Sequence, residues 1–131
     1  MKRAAVLAVP AVLAVAAGIA SATPRHASYQ VDQAKRGALE YIQNCGECHG
    51  GALGGNFGPA LAGPASRTQF ESGASVYSYM TAHMPNGNAG ALPQDEYLDI
   101  MAFIYERNGI PSGPRPLTAK TIAADMVPIG K

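Results

Sequence analysis

The sequence predicts a mainly α-helical protein, on three observations. Apolar residues recur at helical spacing in two long stretches, 28–44 and 93–108. No stretch alternates apolar and polar residues with period two over a useful length, and neither a βαβ rhythm nor an internal repeat occurs. The 131 residues, 47% of them apolar, bound the chain to one modest domain.

In chain order, the first element is a leader. Residues 1–22 hold seventeen apolar residues. Lys2 and Arg3 precede the apolar run, and Ala20, Ser21 and Ala22 supply the small residues that a signal peptidase reads, so 1–22 is expected to be a cleaved signal peptide and the protein periplasmic. Pro10 and Gly18 interrupt a run already shorter than the ~20 residues of a bilayer-spanning helix, which argues against a retained anchor. The mature domain, 23–131, then carries eight basic and nine acidic residues and no membrane span. Near-neutral charge, with no Lys/Arg run longer than two, gives no reason to expect nucleic acid as a partner. Fourteen Gly, nine Pro and no Trp in this domain make a thin core, a shortfall that a large apolar cofactor would fill.

Over 28–44, Val31, Ala34, Ala38, Tyr41, Ile42 and Cys45 trace one helical face. Gly37 within it costs up to ~1 kcal/mol relative to Ala, a cost explained if another helix crosses too closely there for a side chain. Seven glycines in 46–63, with Pro59, predict an irregular loop. A short helix follows over 72–82 and is broken at Met84, Pro85, Asn86, Gly87 and Asn88. The last long helix is 93–108, with Pro93 in its first turn, Asp95 and Glu96 near its positive end, Arg107 near its negative end and Asn108-Gly109 as its cap. Its inner face is expected to be Tyr97, Leu98, Met101, Ile104 and Tyr105. Residues 110–131 form a proline-rich tail with weak helical character over 117–126, expected to lie over the domain surface. His26, close to the cleavage site, is expected to be disordered.

The chemistry lies in Cys45-Gly46-Glu47-Cys48-His49, the C-x-x-C-H spacing of c-type haem attachment, built from the chain's two cysteines. A helix ending at the first Cys would set both sulfurs beneath one porphyrin edge for thioether bonds to the vinyl groups, with His49 as proximal iron ligand. A disulfide would close a loop too short to gain much chain entropy. A thioredoxin-like pair would want a βαβ context. Zinc would need His26 or His83 to complete the set. One covalent haem c is therefore the expected cofactor. Met80, His83 and Met84 compete for the sixth position. Met84 leads because it sits in a loop that can bend back toward the iron, whereas Met80 is a turn earlier on a helix and is explained by packing.

With these residues the chain resembles the class I c-type cytochromes over essentially the whole mature length. The resemblance implies N- and C-terminal helices crossing around the haem, Gly37 and Tyr41 on the first matching Leu98, Ala102 and Tyr105 on the last. Gly58-Pro59-Ala60-Leu61 is similar to the loop in which the Pro carbonyl accepts a hydrogen bond from the proximal His, and Leu61 would pack on the porphyrin. Met84-Pro85 matches the distal loop. A narrower similarity, carried by Tyr79-Met80, Gly90-Ala91-Leu92, Tyr97, Asp99-Ile100, Asn108-Gly109-Ile110-Pro111 and the tail, is to the cytochrome domains that accompany quinoprotein alcohol dehydrogenases. Pro93 departs from the Ser or Thr common at that helix start.

The implied function is one-electron transfer in a respiratory chain, from a periplasmic dehydrogenase to a terminal oxidase or another cytochrome, with no bond-making chemistry. Its partners would be redox proteins. A permanent haem subunit of an oxidoreductase complex, docked by the proline-rich tail, is the alternative. A haem sensor would instead require a vacant or labile sixth position.

Overall fold

The computed structural model describes residues 26–68 and 71–129, so the expected leader, 1–22, lies outside the described residues. Five α-helices form: α1 Val31–Asn44, α2 Gly46–His49, α3 Gly73–His83, α4 Gln94–Arg107 and α5 Ala119–Ala123, with a 3-10 turn at Pro64–Thr68. Among the described residues there is no strand. Nor is any helix long and apolar enough to cross a membrane.

The α1–α4 crossing organises the fold. A Cβ built on Gly37 would lie 1.8 Å from the Asp99 carbonyl oxygen and 2.8 Å from the Ile100 nitrogen, so only glycine lets the two backbones meet. Beside it, Arg36 grips the buried Asp99 carboxylate through Nε at 2.6 Å and a terminal nitrogen at 3.0 Å. This hydrogen bond raises the Arg36 pKa, keeping the guanidinium charged. Tyr41 packs against Phe103 with ring centroids 5.4 Å apart.

The expected apolar face of the first helix is corrected at its edges: Val31 and Ile42 are exposed, and Gln33 is buried. The line that meets α4 runs through Ala34, Gly37 and Tyr41, and Val31 and Ile42 are rotated about 60–100° from it. The helix also starts three residues later than expected. Residues 28–30 are engaged with the tail instead, the Ser28 hydroxyl donating to the Arg115 carbonyl at 2.9 Å and Gly113 N–H donating to the Tyr29 carbonyl at 2.8 Å.

Ser72 caps α3 in a reciprocal box with Ser75. Pro93 is the N-cap of α4, with extended ψ, rather than a first-turn residue. At the far end Gly109, at φ +75°, closes the helix: its N–H donates to Glu106 and that of Ile110 to Tyr105. Every residue of α4 from Tyr97 to Tyr105 is buried, because α1, the site described below and the tail enclose it on different sides.

The tail is part of the domain, which corrects its expected place over the surface. Leu117, Ile122 and Ile129 are buried in the core, and the Gln33 side chain clamps Leu117 by donating to its carbonyl at 3.0 Å and accepting from its N–H at 2.7 Å. Asp125, 4% exposed, accepts from the Tyr105 hydroxyl, from Ala27 N–H at 2.7 Å and from Val127 N–H at 3.0 Å. His26, expected to be disordered, is half-buried in this knot, edge-on to Tyr105 with Nδ1 3.4 Å from the Asp125 carboxylate.

Candidate functional site

A crevice of about 450 Å³ opens beside α4, lined among others by Cys45, Cys48 and His49 of the motif, by Met80 and Met84 around the end of α3, and by Ile104 of α4. Cys45 caps α1, its N–H donating to the Tyr41 carbonyl at 2.8 Å, and α2 carries the chain through one turn to His49. The expected helix ending at the first cysteine is therefore present. Both thiols are free, Cys45 half-buried and Cys48 exposed. Burial, with Cys48 beside it, pushes the Cys45 thiol up to about 11, so it stays protonated at neutral pH in the bare polypeptide.

His49 is buried, and its Nδ1 lies 2.8 Å from the Pro59 carbonyl oxygen. A carbonyl can only accept, so Nδ1 carries a hydrogen, and in the neutral imidazole the lone pair is then on Nε2. The loop that presents Pro59 is tied to the motif by Gly58 N–H on the Cys48 carbonyl and Gly55 N–H on the His49 carbonyl, both at 2.8 Å. Gly58 gives the ring its space, since a Cβ there would approach His49 Cε1 to 2.8 Å and Nδ1 to 2.9 Å. The Tyr41 hydroxyl donates to the Gly50 carbonyl at 2.7 Å, fixing the loop to α1, and burial raises its pKa to about 12. Leu53, fully buried at φ +61°, accepts on its carbonyl from Leu61 N–H at 2.8 Å and Ala62 N–H at 3.1 Å. Leu61 thereby reaches the crevice.

Met84 caps the C-terminus of α3. Its N–H donates to the Met80 carbonyl at 2.9 Å, and its own carbonyl accepts from Gly90 N–H at 3.1 Å and from the Tyr97 hydroxyl at 2.6 Å. Met80 lines the same crevice while packing in the core, so packing alone does not describe it. His83 is exposed against the Tyr79 ring, centroids 4.5 Å apart, and does not line the crevice. His26 is held in the Asp125 knot rather than near the motif. Among the described residues no group of three His, Cys, Asp or Glu side chains is arranged to hold a metal ion.

Sequence reasoning did not single out Phe57, 86% exposed at the crevice, and it named Tyr79 and Ile100 only for the narrower similarity, not as residues that line the crevice. Phe57 is a lone aromatic in a glycine-rich loop, and that contrast was its available signal. The residues present fit a c-type haem: two thiols, an imidazole held through Nδ1 and the thioethers of Met80 and Met84 share one largely apolar cavity.

No curated protein matches the chain. By structure it is similar to a chain in the crystal structure of the sulfane dehydrogenase SoxCD from Paracoccus pantotrophus, with a TM-score of 0.61 and 23% identity. The match covers 79% of this chain and 62% of that one, so this chain spans less than two thirds of its neighbour's length. Residues 32–104, more than half the chain, match the family described as cytochrome c oxidase, cbb3-type, subunit III. Together with the C-x-x-C-H motif at the head of the crevice, that match places the chain in this family of c-type cytochromes, whose fold is the mainly helical one seen here.

Proposed function

We propose that the protein is a periplasmic monohaem electron carrier, with the haem joined through Cys45 and Cys48 and its iron held by His49 and Met84. When bound, the haem supplies reversible one-electron chemistry between ferric and ferrous iron. The chain's own residues then have three tasks. Cys45 and Cys48 fix the porphyrin edge, Pro59 orients His49, and Leu61, Ile100 and Ile104 exclude water from the pocket. The observation that supports the reading is the 2.8 Å contact from His49 Nδ1 to Pro59, which would orient Nε2 for a metal in a cavity lined by both Met80 and Met84.

The electron would come from a periplasmic dehydrogenase, a quinoprotein alcohol dehydrogenase being the specific candidate, and pass to a terminal oxidase or another cytochrome. With the mature chain near neutrality, short-range fit rather than long-range steering would select these partners. Export rests on residues 1–22. A second reading, a permanent haem subunit of an oxidoreductase, is favoured by the structural likeness to a chain of a sulfane dehydrogenase. The tail does not serve it as a free strap, since Leu117 and Ile122 are buried in the domain itself.

Haem staining of the exported protein on a denaturing gel tests the attachment. The stained band is expected to survive acid-acetone extraction and to be lost in the Cys45→Ala, Cys48→Ala double variant. Haem released by extraction from the unaltered protein would refute the thioether assignment.

A further inference from the structure

We propose that Tyr97 is the positioning residue for the distal ligand, holding Met84 in place through the backbone of Met84 itself. The inference rests on the reading of Met84 as sixth ligand. A thioether offers only a weak acceptor, so a protein has little with which to orient a methionine side chain by hydrogen bonds. Its position must be set through its main chain. Here the Met84 carbonyl accepts from the Tyr97 hydroxyl at 2.6 Å and from Gly90 N–H at 3.1 Å, while its N–H donates to the Met80 carbonyl at 2.9 Å. Gly90 belongs to the same turn and moves with it, and Met80 lies on the helix that Met84 ends. Tyr97 is different: it is 3% exposed on the first turn of α4, the helix whose Ile100 and Ile104 line the crevice. Its hydroxyl therefore ties the ligand-bearing turn to the wall of the haem pocket. Without it, the turn from Met84 to Gly90 opens at lower cost, and the iron is accessible for a larger fraction of the time.

An exogenous ligand reads that fraction, because its apparent affinity scales with the population of the open form. The probe is imidazole, titrated into the oxidised holoprotein and followed by the haem absorption spectrum. Tyr97→Phe keeps the ring and removes one hydrogen bond, so it is expected to tighten imidazole binding roughly fivefold. Tyr29→Phe is the control: the Tyr29 hydroxyl donates to the Ile110 carbonyl at 2.6 Å, a matched bond in the tail, and its loss is expected to leave imidazole affinity unchanged. Met84→Ala tests the underlying reading separately and is expected to tighten binding most. Unchanged affinity in Tyr97→Phe, or an equal gain in both tyrosine variants, overturns the proposal while a strong gain in Met84→Ala keeps the ligand assignment. No gain in Met84→Ala overturns both. Should Tyr97→Phe give no holoprotein, the unaltered protein still decides: imidazole is expected to speed hydroxyl proton exchange at Tyr97 and not at Tyr29, and equal behaviour at the two overturns the proposal.

Discussion

The two sides of the crevice that carry the proposed iron ligands are held by opposite means. On the His49 side the side chain itself is gripped, Nδ1 on the Pro59 carbonyl at 2.8 Å, while on the Met84 side the grip is on the main chain, by Tyr97 at 2.6 Å. The difference follows from the chemistry of the residues. An imidazole has a second polar nitrogen for the protein to hold, and a thioether has none of comparable strength. The His49 side is accordingly built from a loop folded back on its own motif, and the Met84 side from a turn tied to the next helix, α4. Both sides nevertheless lean on α4, which lines the crevice and carries Tyr97.

The largest effect should come from displacing α4, which would disturb both sides together. Gly37→Ala places a Cβ 1.8 Å from the Asp99 carbonyl. Helix propensity predicts a gain of up to ~1 kcal/mol for this change. The crossing predicts a loss of about 3 kcal/mol or more, with reduced haem incorporation, read by thermal unfolding and haem yield. A change confined to the His49 side comes next. Gly58→Ala would push the His49 ring from a contact of 2.8 Å, costing about 2 kcal/mol and shifting the reduction potential, while imidazole affinity is expected to stay unchanged because the Met84 turn is untouched.

Asp125→Asn sharpens the comparison from outside the crevice. It removes the charge that gathers Tyr105, Ala27 and Val127, and is expected to cost about 1.5 kcal/mol in chemical denaturation without altering the haem spectrum. The smallest effect is alkaline. Burial, then the hydrogen bond and charge of Asp125, raise the Tyr105 pKa, and burial raises Tyr41 from 10.0 to about 12. The fold thus favours the neutral phenols: their stabilisation is complete below pH 10, that of Tyr41 is lost as pH rises through about 12, and that of Tyr105 declines from pH 10 upward. Tyr105→Phe should flatten the decline of the unfolding midpoint above pH 10, and an unchanged slope would remove Tyr105 from that account.

What the sequence showed and hid follows the same physics. Gly37 was legible because a glycine inside a strong helical period needs a reason, and the Asp99 backbone supplies it. The motif was legible from its residue types and spacing, and Pro59 through the resemblance to the class I c-type cytochromes. Tyr97 was read as core, which it is, but no periodicity reveals that its hydroxyl reaches the carbonyl of residue 84. Asp125 and Gln33 were hidden for a related reason: each is one polar residue satisfied by chain distant in sequence, and the short α5 between prolines gave too weak a period to signal a buried Leu117 and Ile122. Val31 and Ile42 were assigned inward because apolar spacing fixes a face only to within its edges.

The central claim, that His49 and Met84 would hold the haem iron, is tested most directly by the weak sulfur-to-iron charge-transfer band at the red edge of the visible spectrum of the oxidised holoprotein. The account predicts that the band is present, that Met84→Ala abolishes it and lowers the reduction potential, and that Met80→Ala and His83→Ala both retain it. A band that survives Met84→Ala and disappears in Met80→Ala would contradict the account, moving the distal ligand one helical turn back into α3.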